Sequence, residues 1–180
     1  MIELVFSKSD YCYQTSIDLG GDAATMELDT GSPITTISIP NLIQITGEPL
    51  FAFRNKANAF MQEHKPLSLG VYGSQVTSVT HNFVPYLVKQ LIIDTVRFPY
   101  FLFWVDVTNL NSKELLPTSI LFGYDYIRQG KKRFDENDDF HIVFDKISAD
   151  TFSVEYALSN INERVNEISK LISIESNIMR

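Results

Sequence analysis

The sequence predicts a mainly β domain followed by a C-terminal amphipathic helix. Three observations carry this. Short apolar runs separated by Gly, Pro and Asp turn signals fill most of the 180 residues. Helical spacing is confined to one internal stretch and the C-terminal segment. A chain with 44% hydrophobic and 21% charged residues can bury one core.

Taken in order, strands are predicted at residues 4–7, 13–19 and 24–28, with Gly20-Gly21-Asp22 turning the chain between the last two. Residues 35–39, TTISI, read as a strand stopped by Pro40. Phe53, Ala57 and Phe60 lie at helical spacing and predict a short helix over 50–63. Further strands are predicted at 67–72, 75–80, 86–93, 98–106, 119–122, 139–144 and 152–156. The charged stretch 128–139, RQGKKRFDENDD, mixes both signs and reads as a solvated loop. From Asn160 the period changes: Ile161, Val165, Ile168 and Ile172 form a helical stripe, with Asn160 and Glu163 at capping-box spacing. The chain thus divides into a domain over 1–147 and a strand-and-helix extension over 148–180.

Composition narrows the function. Fifteen Lys and Arg against 22 Asp and Glu leave a net charge of −7, opposite to what a nucleic-acid binder needs. The single cysteine, Cys12, cannot form an internal disulfide and is expected as a buried, inert thiol. The most apolar run, residues 98–105, falls far short of the ~20 residues of a membrane-spanning helix. With no secretory signal in the N-terminal residues, a cytoplasmic protein without membrane association is expected. His64, His81 and His141 lack metal-ligand spacing, and no glycine-rich nucleotide loop is present. No metal or cofactor is therefore expected.

One tetrapeptide carries chemistry: Asp29-Thr30-Gly31-Ser32, after an apolar strand and before Pro33 and a second strand. Such a turn can present a carboxylate while backbone N–H groups bond to it. Gly31 permits close backbone approach, and the Thr30 and Ser32 hydroxyls can hold the loop. Asp94-Thr95-Val96 is a partial match without the glycine and is set aside. A second motif follows, Ile120-Leu121-Phe122-Gly123-Tyr124-Asp125-Tyr126-Ile127.

Together, and in this order, the two motifs resemble the signatures of retropepsin-like aspartic proteases, over residues 13–127. Pro33, the bulk of Phe122 and the 180-residue length depart from the viral-type pattern. The resemblance implies a single acid-protease β-barrel with a flap, with Asp29 as the catalytic carboxylate. Thr30, Gly31 and Ser32 would support it, and Leu121, Phe122 and Gly123 would pack beside it. Asp125 would be structural, and Gly70, Tyr72 and Gly73 would belong to the flap. The chemistry of this class needs two carboxylates sharing one proton. With one such Asp per chain, the site would form at the axis of a homodimer acting on a peptide or protein substrate. The N-terminal strand over residues 2–6 and the helix from Asn160 are candidate contacts for that dimer. The alternative is a catalytically silent or autoinhibited module of the same fold that binds proteins.

Overall fold

The computed structural model describes residues 1–72 and 78–152. The helix predicted from Asn160, residues 153–156 of the last predicted strand, and Gly73 lie outside the described residues.

Strands β1 (Ile2–Lys8), β2 (Tyr13–Leu19) and β3 (Asp22–Leu28) lead into a short β4 (Thr36–Ser38). Helices α1 (Ile39–Thr46) and α2 (Leu50–Glu63) follow. Then come β5 (Leu67–Tyr72), β6 (Ser78–Ile93), β7 (Val96–Asp106) and β8 (Ile120–Phe122). A single-turn α3 (Tyr124–Ile127), β9 (Lys131–Phe134), β10 (Phe140–Phe144) and a 3-10 turn at Ala149–Thr151 complete the described chain.

The strands form one continuous sheet in the order β5-β6-β7-β4-β8-β3-β2-β1-β10-β9, and β6 also pairs with β2. That extra pairing closes a barrel of six strands, β6-β7-β4-β8-β3-β2. It is mixed, because β3–β8 and β4–β7 run parallel while β4–β8 runs antiparallel. The hairpin β5–β6 continues beyond the ring on one side, from Leu67↔Phe83 to Tyr72↔Ser78. On the other side β10 pairs with β1, and β9 with β10.

The core is aromatic. Phe101 stacks on Tyr126 with ring centroids 4.6 Å apart, and Phe152 meets Phe98 edge-on at 4.8 Å. Tyr126 also fixes α3 to β7, its hydroxyl accepting the Leu102 N–H at 3.1 Å and donating to the Leu102 carbonyl at 3.2 Å. In α2, Phe53, Ala57 and Phe60 are the buried face, and Phe53 packs on Tyr86 of β6.

Several elements differ from the sequence reading. Pro40 does more than stop a strand. It sits in the first turn of α1, where its missing N–H costs nothing, and the helix ends at Gly47 with φ of +68°. Residues 78–93 form one long strand rather than two. Its ladder with β7 skips Gln90 opposite Pro99, which has no N–H to give, and Gln90 takes φ of +57° there. The stretch 128–139 is not all loop: β9 pairs with β10, although all four of its residues are exposed. Phe152 directly follows a 3-10 turn, and its ring is fully buried. Cys12 is half-buried rather than buried, with Sγ 3.5 Å from Ser9 Oγ.

Candidate active site

Asp29 stands where the parallel ladder of β3 on β8 runs out, one residue past the Leu28↔Phe122 pair. Its N–H donates to the Phe122 carbonyl at 3.0 Å, and its own carbonyl accepts the Ser32 N–H at 3.3 Å. The chain therefore turns back immediately after it. Inside the turn the Gly31 N–H donates to Asp29 Oδ1 at 2.9 Å, and a Cβ on Gly31 would lie only 3.3 Å from that oxygen. Among the described residues nothing bonds to Oδ2. Ser32 Oγ donates to the Ile34 carbonyl at 2.7 Å and so shapes the exit of the turn. Thr30 is exposed, and its hydroxyl makes no hydrogen bond among the described residues.

The segment from β8 into α3 lies directly against this turn. A Cβ on Gly123 would sit 2.1 Å from the Ile34 carbonyl oxygen, so only glycine allows the two backbones to meet. The Gly123 N–H donates to Thr35 Oγ1 at 2.9 Å, and the Thr35 hydroxyl donates onward to Asp125 Oδ1 at 2.7 Å. Asp125 also accepts the N–H groups of Thr35 at 3.1 Å and Tyr126 at 3.0 Å. It is 1% exposed, and burial pushes its carboxyl up to about 7, against the lowering effect of those hydrogen bonds. Ser32 and Tyr124 add a backbone bond of 2.8 Å between the two segments. A buried network, not the Asp29 loop itself, thus sets where Asp29 stands.

Asp29 opens on a cleft of about 620 Å³. Gly31, Ser32 and Leu121 line it beside Asp29, and Leu69 and Gly70 of β5 line it from the hairpin. His81 and Phe83 of β6 and Asp106 of β7 line it as well. The register pairs Phe83 with Asp106, so His81 and Asp106 are diagonal neighbours on one face. His81 Nδ1 lies 2.6 Å from Asp106 Oδ2, while Asp106 Oδ1 accepts the Thr108 N–H at 3.0 Å and its hydroxyl at 2.5 Å. The His81 ring also stacks on Phe83.

Of the residues singled out from sequence, Asp29, Gly31, Ser32, Leu121 and Gly70 meet at this cleft. Phe122 is wholly buried, and Gly123 packs against the Ile34 backbone. Tyr72 pairs with Ser78 on the hairpin. His81 was weighed only as a metal ligand and its pairing with Asp106 was missed, since 25 residues separate them and only the β6–β7 register brings them together. His141 lies elsewhere, bonded to Glu3 at 2.8 Å and Asp135 at 2.7 Å on β1 and the β9–β10 turn. Among the described residues, no group of three or more His, Cys, Asp or Glu is placed to hold a metal ion, and no helix is long and apolar enough to cross a membrane.

No family model matches the chain, and no curated protein matches it. Among solved structures it is similar to a retropepsin-like aspartic protease from Rickettsia conorii. Identity is 14% and the TM-score 0.45, over 79% of this chain and 90% of that one.

Proposed function

We propose that the protein is an aspartic endopeptidase that hydrolyses peptide bonds as a homodimer, in limited processing of specific proteins. The observation that carries this reading is the carboxylate of Asp29, held at the end of β3 with one oxygen capped by Gly31 and the other open beside the cleft. In the reaction one Asp29 carboxylate takes a proton from water as that water attacks the peptide carbonyl. The second, protonated Asp29 gives its proton to the carbonyl oxygen, and the resulting diol collapses to acid and amine. Two such groups share one proton because like charges at close range cannot both ionise.

What supports taking the second carboxylate from another copy of the chain is the state of this chain's other acids. The other acid lining the cleft, Asp106, has both oxygens engaged by His81 and Thr108. Asp125 is buried behind the loop. Bringing two copies of Asp29 together would place the exposed Thr30 in the interface. An extended peptide would lie in the cleft, with the β5–β6 hairpin, which carries Gly70 and Tyr72, as its cover.

One observation favours the second reading, a silent or autoinhibited binding module. Residues 2–6 of β1 pair with β10 on one edge, and on the other the Val5 N–H is taken by Asp94 Oδ2 at 3.1 Å. The N-terminal strand is therefore paired along one edge and capped at Val5 on the other, which leaves a second copy less edge to pair with. The test is to incubate wild type and Asp29→Asn with a diverse peptide library, read cleavage by mass spectrometry and measure the mass of the particle in solution. Cleavage by wild type alone, from a dimer, is the expected result. Cleavage by both proteins would sink the assignment of Asp29, and a monomer that cleaves nothing would favour the binding module.

A further inference from the structure

We propose that His81 and Asp106 form a side-chain subsite of the cleft that takes a basic residue, Lys or Arg, of a peptide ligand and rejects Asp and Glu. The inference deepens the peptide-substrate reading above and rests on it.

The argument starts with which atom carries the proton. An ionised carboxylate can only accept hydrogen bonds, so the 2.6 Å contact to Asp106 Oδ2 puts a proton on Nδ1 of His81, and in the singly protonated ring it is the one ring proton. Asp106 is itself fixed, because Thr108 supplies two donors to its other oxygen. The His81 ring lies alongside Phe83, with centroids 6.4 Å apart and planes 25° from parallel. Nε2 is then left as a hydrogen-bond acceptor, and among the described residues nothing bonds to it. The side chains of His81 and Asp106 are each 29% exposed, so the pair is neither sealed in the core nor loose on the surface.

Charge selects among the donors that could meet Nε2. Among the described residues, the ionisable ones lining the cleft are Asp29, His81 and Asp106, with no Lys or Arg beside them. Two carboxylates without a fixed cation attract an ammonium or guanidinium and repel another carboxylate. Leu69, paired directly with His81, offers an apolar surface for the methylenes of a Lys or Arg side chain. Asp106 acts here as a positioning residue, since it works by setting the tautomer of His81.

The test uses decapeptides bearing Lys, Arg, Gln, Leu or Glu at each position in turn. Cleavage is measured with the full chain as wild type, His81→Leu and Asp106→Asn. Binding of the same peptides is measured by fluorescence anisotropy on Asp29→Asn, alone and combined with each of the other two changes. We expect Lys or Arg to be favoured over Glu roughly tenfold at one position, and His81→Leu to abolish that preference. Asp106→Asn should reverse it. The Asn oxygen stays with Thr108, its amide donates to Nδ1, and the ring proton moves to Nε2, which now seeks an acceptor. A merely structural role for Asp106 would weaken all peptides alike.

Equal binding of all peptides, no binding of any, or a preference that survives both changes overturns the subsite. Absence of cleavage with the binding preference intact overturns the protease reading alone. Thermal melts of each variant identify any that fails to fold, and the other then decides.

Discussion

His81 and His141 both sit against carboxylates, yet they do different work. His141 is 9% exposed, with Nδ1 on Glu3 of β1 and Nε2 on Asp135 of the β9–β10 turn. Both ring nitrogens are spent on tying sheet elements together. His81 spends one nitrogen on Asp106 and keeps the other beside the cleft. A fully satisfied histidine holds structure, whereas a half-satisfied one next to a cavity can recognise a ligand. The same contrast separates the carboxylates: Asp125 is bonded on both oxygens behind the loop, while among the described residues Asp29 is bonded on one.

The sharpest break between cleft and scaffold is expected from Asp29→Asn. It should reduce peptide cleavage by a factor on the order of 10³ or more while leaving the melting temperature near that of wild type. Loss of stability on the same scale as Asp125 variants would mean that Asp29 belongs to the scaffold. Asp125→Ala should act in the opposite sense. It leaves three buried donors unpaired and should destabilise the fold by about 3 kcal/mol, measured by chemical denaturation.

Titration of Asp125 sharpens the contrast further. Its folded-state carboxyl lies above the ordinary 3.8, at about 7, so its favourable contribution is complete below about 4 and is lost as pH rises through about 7. Asp125→Asn should therefore gain stability relative to wild type as pH rises from about 4 to about 7. A constant difference across that window would contradict the assignment.

The His141 cluster has its own window. Its imidazolium is favoured by Asp135 first and Glu3 next, which raises it above the ordinary 6.5, while Glu3 and Asp135 are held below their usual carboxylate values by His141. The raised histidine stabilises fully below 6.5 and ceases to do so as pH rises through its folded value. The lowered Glu3 stabilises above 4.5 and fails as pH falls through its own. His141→Leu should thus lower the melting temperature most between those limits and less at alkaline pH, with peptide preference unchanged. The smallest effect is expected from His81→Leu, within roughly 1 kcal/mol of wild type, because its half-buried pair at the cleft wall adds little to stability.

Much of this was legible in the chain. The bounds of β2, β5 and α2 follow from alternation or from Phe53, Ala57 and Phe60. Helix α1 was hidden because Pro40 is ambiguous, ending a strand and starting a helix at the same residue. β9 was hidden because Lys131, Lys132 and Arg133 show no apolar face, and its pairing is dictated by β10 alone. Asp29 and Gly123 were singled out through the two motifs; the structure places Asp29 in a turn capped by Gly31 and Gly123 against the Ile34 backbone. Thr35 and Asp125, 90 residues apart, meet only through tertiary packing, and the His81–Asp106 pair only through the β6–β7 register.

The barrel is closed unevenly. β6 and β7 are zipped over most of their length, but β6 meets β2 through the single pair Ile17↔Ile93, joined by an Asp94 N–H bond of 2.8 Å to the Ser16 carbonyl. That joint is a seam. Its two sides lie far apart along the chain, so its closure entropy is recovered only after the local hairpins exist, and it should form late in folding. For the same reason its amides should exchange with deuterium sooner than those of the β6–β7 ladder, and the barrel should breathe by parting there while the aromatic core stays shut.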